Sequence, residues 1–101
     1  MGSRLELQTK LEELLGSKNV YYQPPASCRM EYPAIKYSKS DIQSRFANGS
    51  AYSLSNRYEL IVIDRKPDNV VINKLLSLPY CSFDRHYASD NLNHDVLTLY
   101  Y

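Results

Sequence analysis

Cys81, Asp84, His86, His94 and Asp95 lie close together in this sequence and are its residues best suited to chemistry. A cysteine thiolate activated by a histidine is a nucleophile, and two imidazoles with carboxylates nearby can hold a divalent metal. Whether either is open depends on where the local structure sends the side chains. The block from Tyr80 to Tyr101 reads as a β-hairpin tied into a sheet, with Ser89, Asp90 and Asn91 as turn residues between Ala88 and Leu92. A slip of one residue exchanges the two faces of a strand, so the apolar pattern selects a register. With Arg85 opposite Asp95, Phe83 falls opposite Leu97 and Cys81 opposite Leu99, and the apolar residues share one face. On the other face His86 meets His94, Ser82 meets Thr98 and Tyr80 meets Tyr100.

That register weighs the chemistry. Cys81 and His86 point to opposite faces, and no orienting third residue or oxyanion device can be assigned, so cysteine catalysis is a poor reading. His86 and His94 could share a metal, although two histidines do not make a site and cross-strand polar pairing explains them equally well. Arg85 and Asp95 read as an exposed ion pair worth roughly a few tenths of a kcal/mol. With only three glycines, the chain has no phosphate-binding loop, dinucleotide fingerprint or Gly-x-Ser-x-Gly elbow. No catalytic residue, cofactor or metal ligand is expected.

The elements that must position these residues follow from periodicity. Ser3 and Glu6 fit a capping box; Leu7, Leu11, Leu14 and Leu15 form one helical face, and Gly16 is placed to end the helix in a left-handed turn. Val20-Tyr21-Tyr22 is a short extended piece before Pro24-Pro25. Cys28, Met30 and Tyr32 then alternate with charged residues, predicting a half-buried strand that passes Pro33 and continues through Ile35 to Tyr37. Proline inside that run argues for an edge or a bulge.

From Ser38 to Asn56 the chain is serine-rich, carries the turn signal Asn48-Gly49 and shows no sustained apolar period, yet Ile42, Phe46, Tyr52 and Leu54 punctuate it. The segment reads as an arm or extended hairpin whose packing partners, through those four residues, lie on another subunit. Leu60 to Ile63 is apolar on both faces, as a central strand covered on both sides should be. Pro67-Asp68 leads into a second helix with Val71, Leu75 and Leu78 on one face, Ile72 and Leu76 beside it, and Pro79 as its stop.

The whole is one α+β domain over 1–101: a mainly antiparallel sheet of about four to five strands, two helices on one face, and a long arm between the first and central strands. Its 101 residues carry a net charge of +1, which gives no footprint for nucleic acid or an anionic membrane. The polar N-terminus is no signal peptide, no run is long enough to span a bilayer, and a cytosolic origin follows as the expectation. Two cysteines make no disulfide framework, and in a reducing compartment the Asn48-Gly49-Ser50 sequon has no meaning. Ten tyrosines, two phenylalanines and no tryptophan suit strands that meet protein or water on one side.

Three segments, Arg57 to Asp64, Leu78 to Tyr87 and Asp90 to Val96, resemble a family of short proteins from the structural-gene clusters of long-tailed bacteriophages and prophages, the tail terminator or tail completion group. The similarity extends to Tyr32-Pro33-Ala34-Ile35 and to Phe46-Ala47-Asn48. It implies a virion structural protein made in the host bacterial cytoplasm. Copies would form a homohexameric ring that caps the tail tube protein, ends its polymerisation and joins the tail to a head-tail connector or stopper protein. DNA would pass through such a ring without sequence-specific binding, and the lumen would not be strongly cationic. Head-completion adaptors of the same gene cluster are of similar size, and that role stays open beside the terminator role, as does the small metal protein using His86 and His94.

Overall fold

The computed structural model describes residues 4–47 and 50–101, with side chains described outside 41–55. Helix α1 (Arg4–Leu15) is followed by β1 (Val20–Tyr22), β2 (Ala34–Ala47), β3 (Ser50–Asp64), helix α2 (Val71–Leu76), β4 (Cys81–Ser89) and β5 (Leu92–Tyr100). The strands form one sheet in the order β1-β2-β3-β5-β4, antiparallel except where β1 runs parallel to β2. The expected α+β architecture, with its central strand and two helices, is therefore present.

One face of the sheet carries the helices. Leu7 and Leu11 of α1 and Val71 and Leu75 of α2 are buried with Val20, Ile35, Tyr37, Tyr58, Leu60, Val62, Leu97 and Leu99, and Leu14, Leu15, Ile72 and Leu78 pack at the margin. Gly16 stands at φ 81°, and its N–H donates to the Glu12 carbonyl at 2.9 Å, which ends α1 as expected. Ser3 of the expected capping box lies outside the described residues. Helix α2 is short, and Asn69 starts it by accepting from the Val71 N–H at 2.9 Å while its own amide donates to Asp64 at 2.8 Å.

Polar groups lock α1 in place. The hydroxyl of buried Tyr37 donates to Gln8 Oε1 at 2.6 Å and accepts from Arg4 at 3.4 Å. The Gln8 amide donates to the Val20 carbonyl at 3.0 Å. Arg4 also sits 4.5 Å over the Tyr22 ring, and Tyr22, Tyr37 and Tyr58 follow one another at centroid distances of 4.9 and 5.9 Å. Burial raises the Tyr37 and Tyr58 phenols above their ordinary value of 10.0.

Two expectations are corrected. Residues 28 to 33 are not strand: β2 begins at Ala34, directly after a cis Tyr32–Pro33 bond, so the alternation of Cys28, Met30 and Tyr32 belongs to a connection. Glu31 is fixed there by its N–H donating to the Tyr21 hydroxyl at 3.2 Å. The second face of β3 has no helix over it, although Ile63 is buried and Ile61 half-buried beside Ala34 and Val96.

The arm is a two-stranded ribbon. Strands β2 and β3 pair from Ala34↔Ile63 out to Ala47↔Ser50, whereas β1 accompanies β2 only to Tyr37 and β5 accompanies β3 only from Arg57. Bulges interrupt it at Ser40 and at Tyr52, each lacking an opposite residue. At its root the Ser40 hydroxyl donates to the Arg57 carbonyl and accepts from Arg57 Nε, both at 3.0 Å, and Tyr101 and Asn56 exchange backbone hydrogen bonds.

Leu11→Ala is expected to lower stability by about 3 kcal/mol, because it opens a cavity beneath α1. Tyr37→Phe should cost about 1 kcal/mol through the hydrogen bond to Gln8; urea unfolding with an unchanged slope would measure both. The raised phenols bind protons more tightly when folded, so their contribution is complete below the unfolded value of 10.0 and is lost as pH rises through the folded values. The urea midpoint should therefore fall on the alkaline side of pH 10.0 and fall less in Tyr37→Phe.

Candidate functional site

The hairpin of β4 and β5 forms with a two-residue turn in which Asp90 and Asn91 stand at φ 53° and 62°. Positive φ at both central residues is the type I′ geometry that suits twisted strands, and Asp and Asn tolerate it. The expected register holds at one end only: Cys81 faces Leu99, Ser82 faces Thr98 and Phe83 faces Leu97. Asp84 is then an extra residue without a partner, and beyond it Arg85 faces Val96, His86 faces Asp95 and Tyr87 faces His94.

That single bulge rearranges every group the sequence made suspicious. Arg85 does not pair with Asp95; it meets its own neighbour Asp84 at 2.8 Å, with both side chains about half exposed. Such a pair contributes little. His86 takes the place expected for Arg85, its Nδ1 lying 2.8 Å from Asp95 Oδ1. His86 and His94 do not face each other. They sit on opposite faces of the sheet, His86 on the helix side with Asp95 and His94 on the open side, where its ring stacks on Tyr87 at 4.6 Å and 7°. The geometric basis for a shared metal is removed, and among the described residues no group of three or more His, Cys, Asp or Glu converges as a metal centre would require.

The bulge also returns His86 to the face of Cys81, contrary to the expected opposition. Their partners Leu99 and Asp95 are still four positions apart on β5, about 13 Å. Cys81 packs against the core, and its burial raises the thiol above the ordinary value of 9.0, the opposite of what a nucleophile needs. Both cysteines are free thiols. Phe83, expected in the core, is 46% exposed on the outermost strand of the sheet.

What remains is a surface. Every residue of β4 from Ser82 to Ser89 is exposed, and β4 has β5 on one side and no described strand on the other. Tyr80, 80% exposed at φ 61°, stands at its start, and Phe83 and Tyr87 are exposed along it. On the helix side, the shallow depression over Asp95 is lined by Pro67, Asp68, Asn69, Ile72 and Asn73. Of the arm residues expected to make contacts, Ile42 and Phe46 fall on β2 opposite Asn56 and Ala51, Leu54 falls on β3 opposite Ser44, and Tyr52 is the bulge residue. Their side chains lie outside the described residues. Sequence reasoning missed the β4 edge, for which the exposed Tyr80 and the unbroken run Phe83 to Tyr87 were the available signal.

No family model matches the chain, and no curated protein matches it. No helix among the described residues is long and apolar enough to cross a membrane.

The raised Cys81 thiol gives a direct check. Alkylation of Cys81 in the folded protein, followed by peptide mass spectrometry, should be slow near neutral pH and still accelerating as pH passes 9.0, whereas the urea-unfolded chain should react at an ordinary thiol rate.

Proposed function

We propose that this chain is a non-enzymatic structural subunit of a bacteriophage tail, a terminator. Copies join head to tail into a closed ring, a homohexamer, at the head-proximal end of the tail tube. The ring ends tube polymerisation and offers its far side to the head connector or stopper protein. The protein is made in the bacterial cytoplasm and ends in the virion.

The resemblance of Arg57 to Asp64, Leu78 to Tyr87 and Asp90 to Val96 to the tail terminator group supplies the identity of the assembly. The observation that carries an assembly role is the arm. A two-stranded ribbon on its own is marginal in water, and this one leaves the sheet beyond Tyr37 and Arg57 with no third strand among the described residues on either side. An element of that kind gains its support from a partner. A head-to-tail ring requires two different patches on each subunit, and the arm and the exposed β4 edge are two such patches at different places on one sheet. A net charge of +1 suits a part that binds protein on several sides while DNA passes through its lumen.

Native mass spectrometry and negative-stain imaging of the full chain, with and without tail-tube protein, test the reading. The expected results are a ring of defined stoichiometry and tubes of bounded length, both lost in Phe46→Ala and Tyr52→Ala. A strict monomer that leaves tube length unchanged would sink it. A ring that binds the head connector and ignores the tube would transfer the role to a head-completion adaptor.

A further inference from the structure

Among the described strands, β4 is open along its outer side and β2 is open beyond Tyr37 over a similar length, and we infer that these two edges are made for each other: the outer edge of β2 in the arm of one copy adds as a strand to the outer edge of β4 in a second copy. This inference rests on the assembly reading above and names its contact.

The β4 edge is nine residues, about 30 Å, of backbone N–H and C=O groups with no described partner on the outer side. Natural proteins guard such edges with proline, charged side chains, bulges or extreme shortness. Strand β4 is nine residues long without proline or lysine, and its guards, the bulge at Asp84 and the charges of Asp84 and Arg85, are confined to its middle. It bears exposed Phe83 and Tyr87, and Tyr80 is held at its start in a left-handed conformation that is unfavourable for a non-glycine residue. A strained backbone that presents an aromatic ring to solvent points to use of that ring.

The occupant is set by the rest of the sheet. On the opposite flank β1 covers β2 only through Tyr37, so 38–47 form a second open edge matched in length to β4. Strand β2 is antiparallel to β3, β3 to β5 and β5 to β4, so β4 runs opposite to β2. Two copies in the same orientation, one displaced along the strands by about eight residues (roughly 26 Å) so that β4 clears β1, therefore bring β4 and the open part of β2 together as antiparallel neighbours. That relation is heterologous and can close into a ring, whereas pairing of β4 with itself would stop at a dimer.

One register suits the sequences. With Asp84 kept as the extra residue of β4, setting Arg85 opposite Ser44 of the second copy places Tyr87 opposite Ile42 and brings Phe83 and Asp84 together opposite Arg45, with no like charges opposed. Sliding by one residue toward the strand ends sets Arg85 against Arg45, which repels.

Cysteine pairs and charge swaps test this on the full chain, with Cys28 and Cys81 replaced by serine. Tyr87→Cys mixed with Ile42→Cys should form an inter-chain disulfide on mild oxidation, while Tyr87→Cys mixed with Lys39→Cys should not. Arg45→Asp and Asp84→Arg should each weaken self-association by at least about tenfold, and a mixture of the two variants should recover it between unlike copies. Circular dichroism of each variant verifies that it folds. Assembly that survives both charge reversals, or crosslinking of the Lys39 pair in preference to the Ile42 pair, would overturn the inference. Rings that cap tubes without the Ile42–Tyr87 link would refute this contact and leave the terminator reading standing. The link without any effect on tubes would do the reverse.

Discussion

A five-stranded sheet with helices on one side has a single place to bury leucine, and the stability of this domain hangs on it. Helix α1 is 12 residues long, near the limit at which a helix is marginal by itself in water, and α2 is half that length. Neither would persist without the apolar face beneath it, where each fully buried aliphatic side chain contributes roughly 1.5–3 kcal/mol. The same burial imposes a condition on Tyr37, whose hydroxyl is carried under α1. Gln8 and Arg4 meet that condition, and Gln8 in turn satisfies the Val20 carbonyl, so one phenol ties α1, β1 and β2 together. No described buried side-chain nitrogen or oxygen is left without a partner.

Much of this was legible in the residues, and for a definite reason. Helical faces repeat over several turns, so Leu7, Leu11, Val71 and Leu75 announced themselves, and Gly16 marked its own left-handed position. The uninterrupted Leu60 to Ile63 identified the middle of the sheet. What failed was whatever depends on one residue. The alternation of Cys28, Met30 and Tyr32 matches a strand, but pairing begins only at Ala34, and side-chain pattern carries no information about which backbone groups find partners. The bulge at Asp84 is invisible for the same reason: Phe83 to Tyr87 reads as a continuous strand, and a skipped partner changes no residue type. The arm was legible as an extended hairpin because Asn48-Gly49 marked a turn. Its length as a paired ribbon was not, since residues 38–56 show no sustained apolar alternation from which pairing could be read.

The chemistry expected of the closing hairpin dissolved through geometry rather than composition. All five suspicious residues are where a strand reading puts them. The bulge sends the two imidazoles to different faces, gives one a carboxylate and the other an aromatic ring, and leaves the thiol protonated against the core. Each has a local explanation in packing or cross-strand pairing. The feature without such an explanation is the outer side of β4, which spends aromatic residues on water.

The bulge also divides β4 into two territories with different masters. Up to Phe83 the strand is still in phase with the helix-covered face, and Cys81 and Phe83 stand opposite the buried Leu99 and Leu97. After Asp84 the phase reverses: Arg85 and Tyr87 turn to the open side, and His86 takes the helix side with Asp95. Substitutions at 85 and 87 are therefore nearly silent to the helix-covered core while being fully visible to anything that approaches the edge. In a lineage of such proteins, drift at 96–99 would record the demands of folding, and drift at 85 and 87 would record the history of the partner.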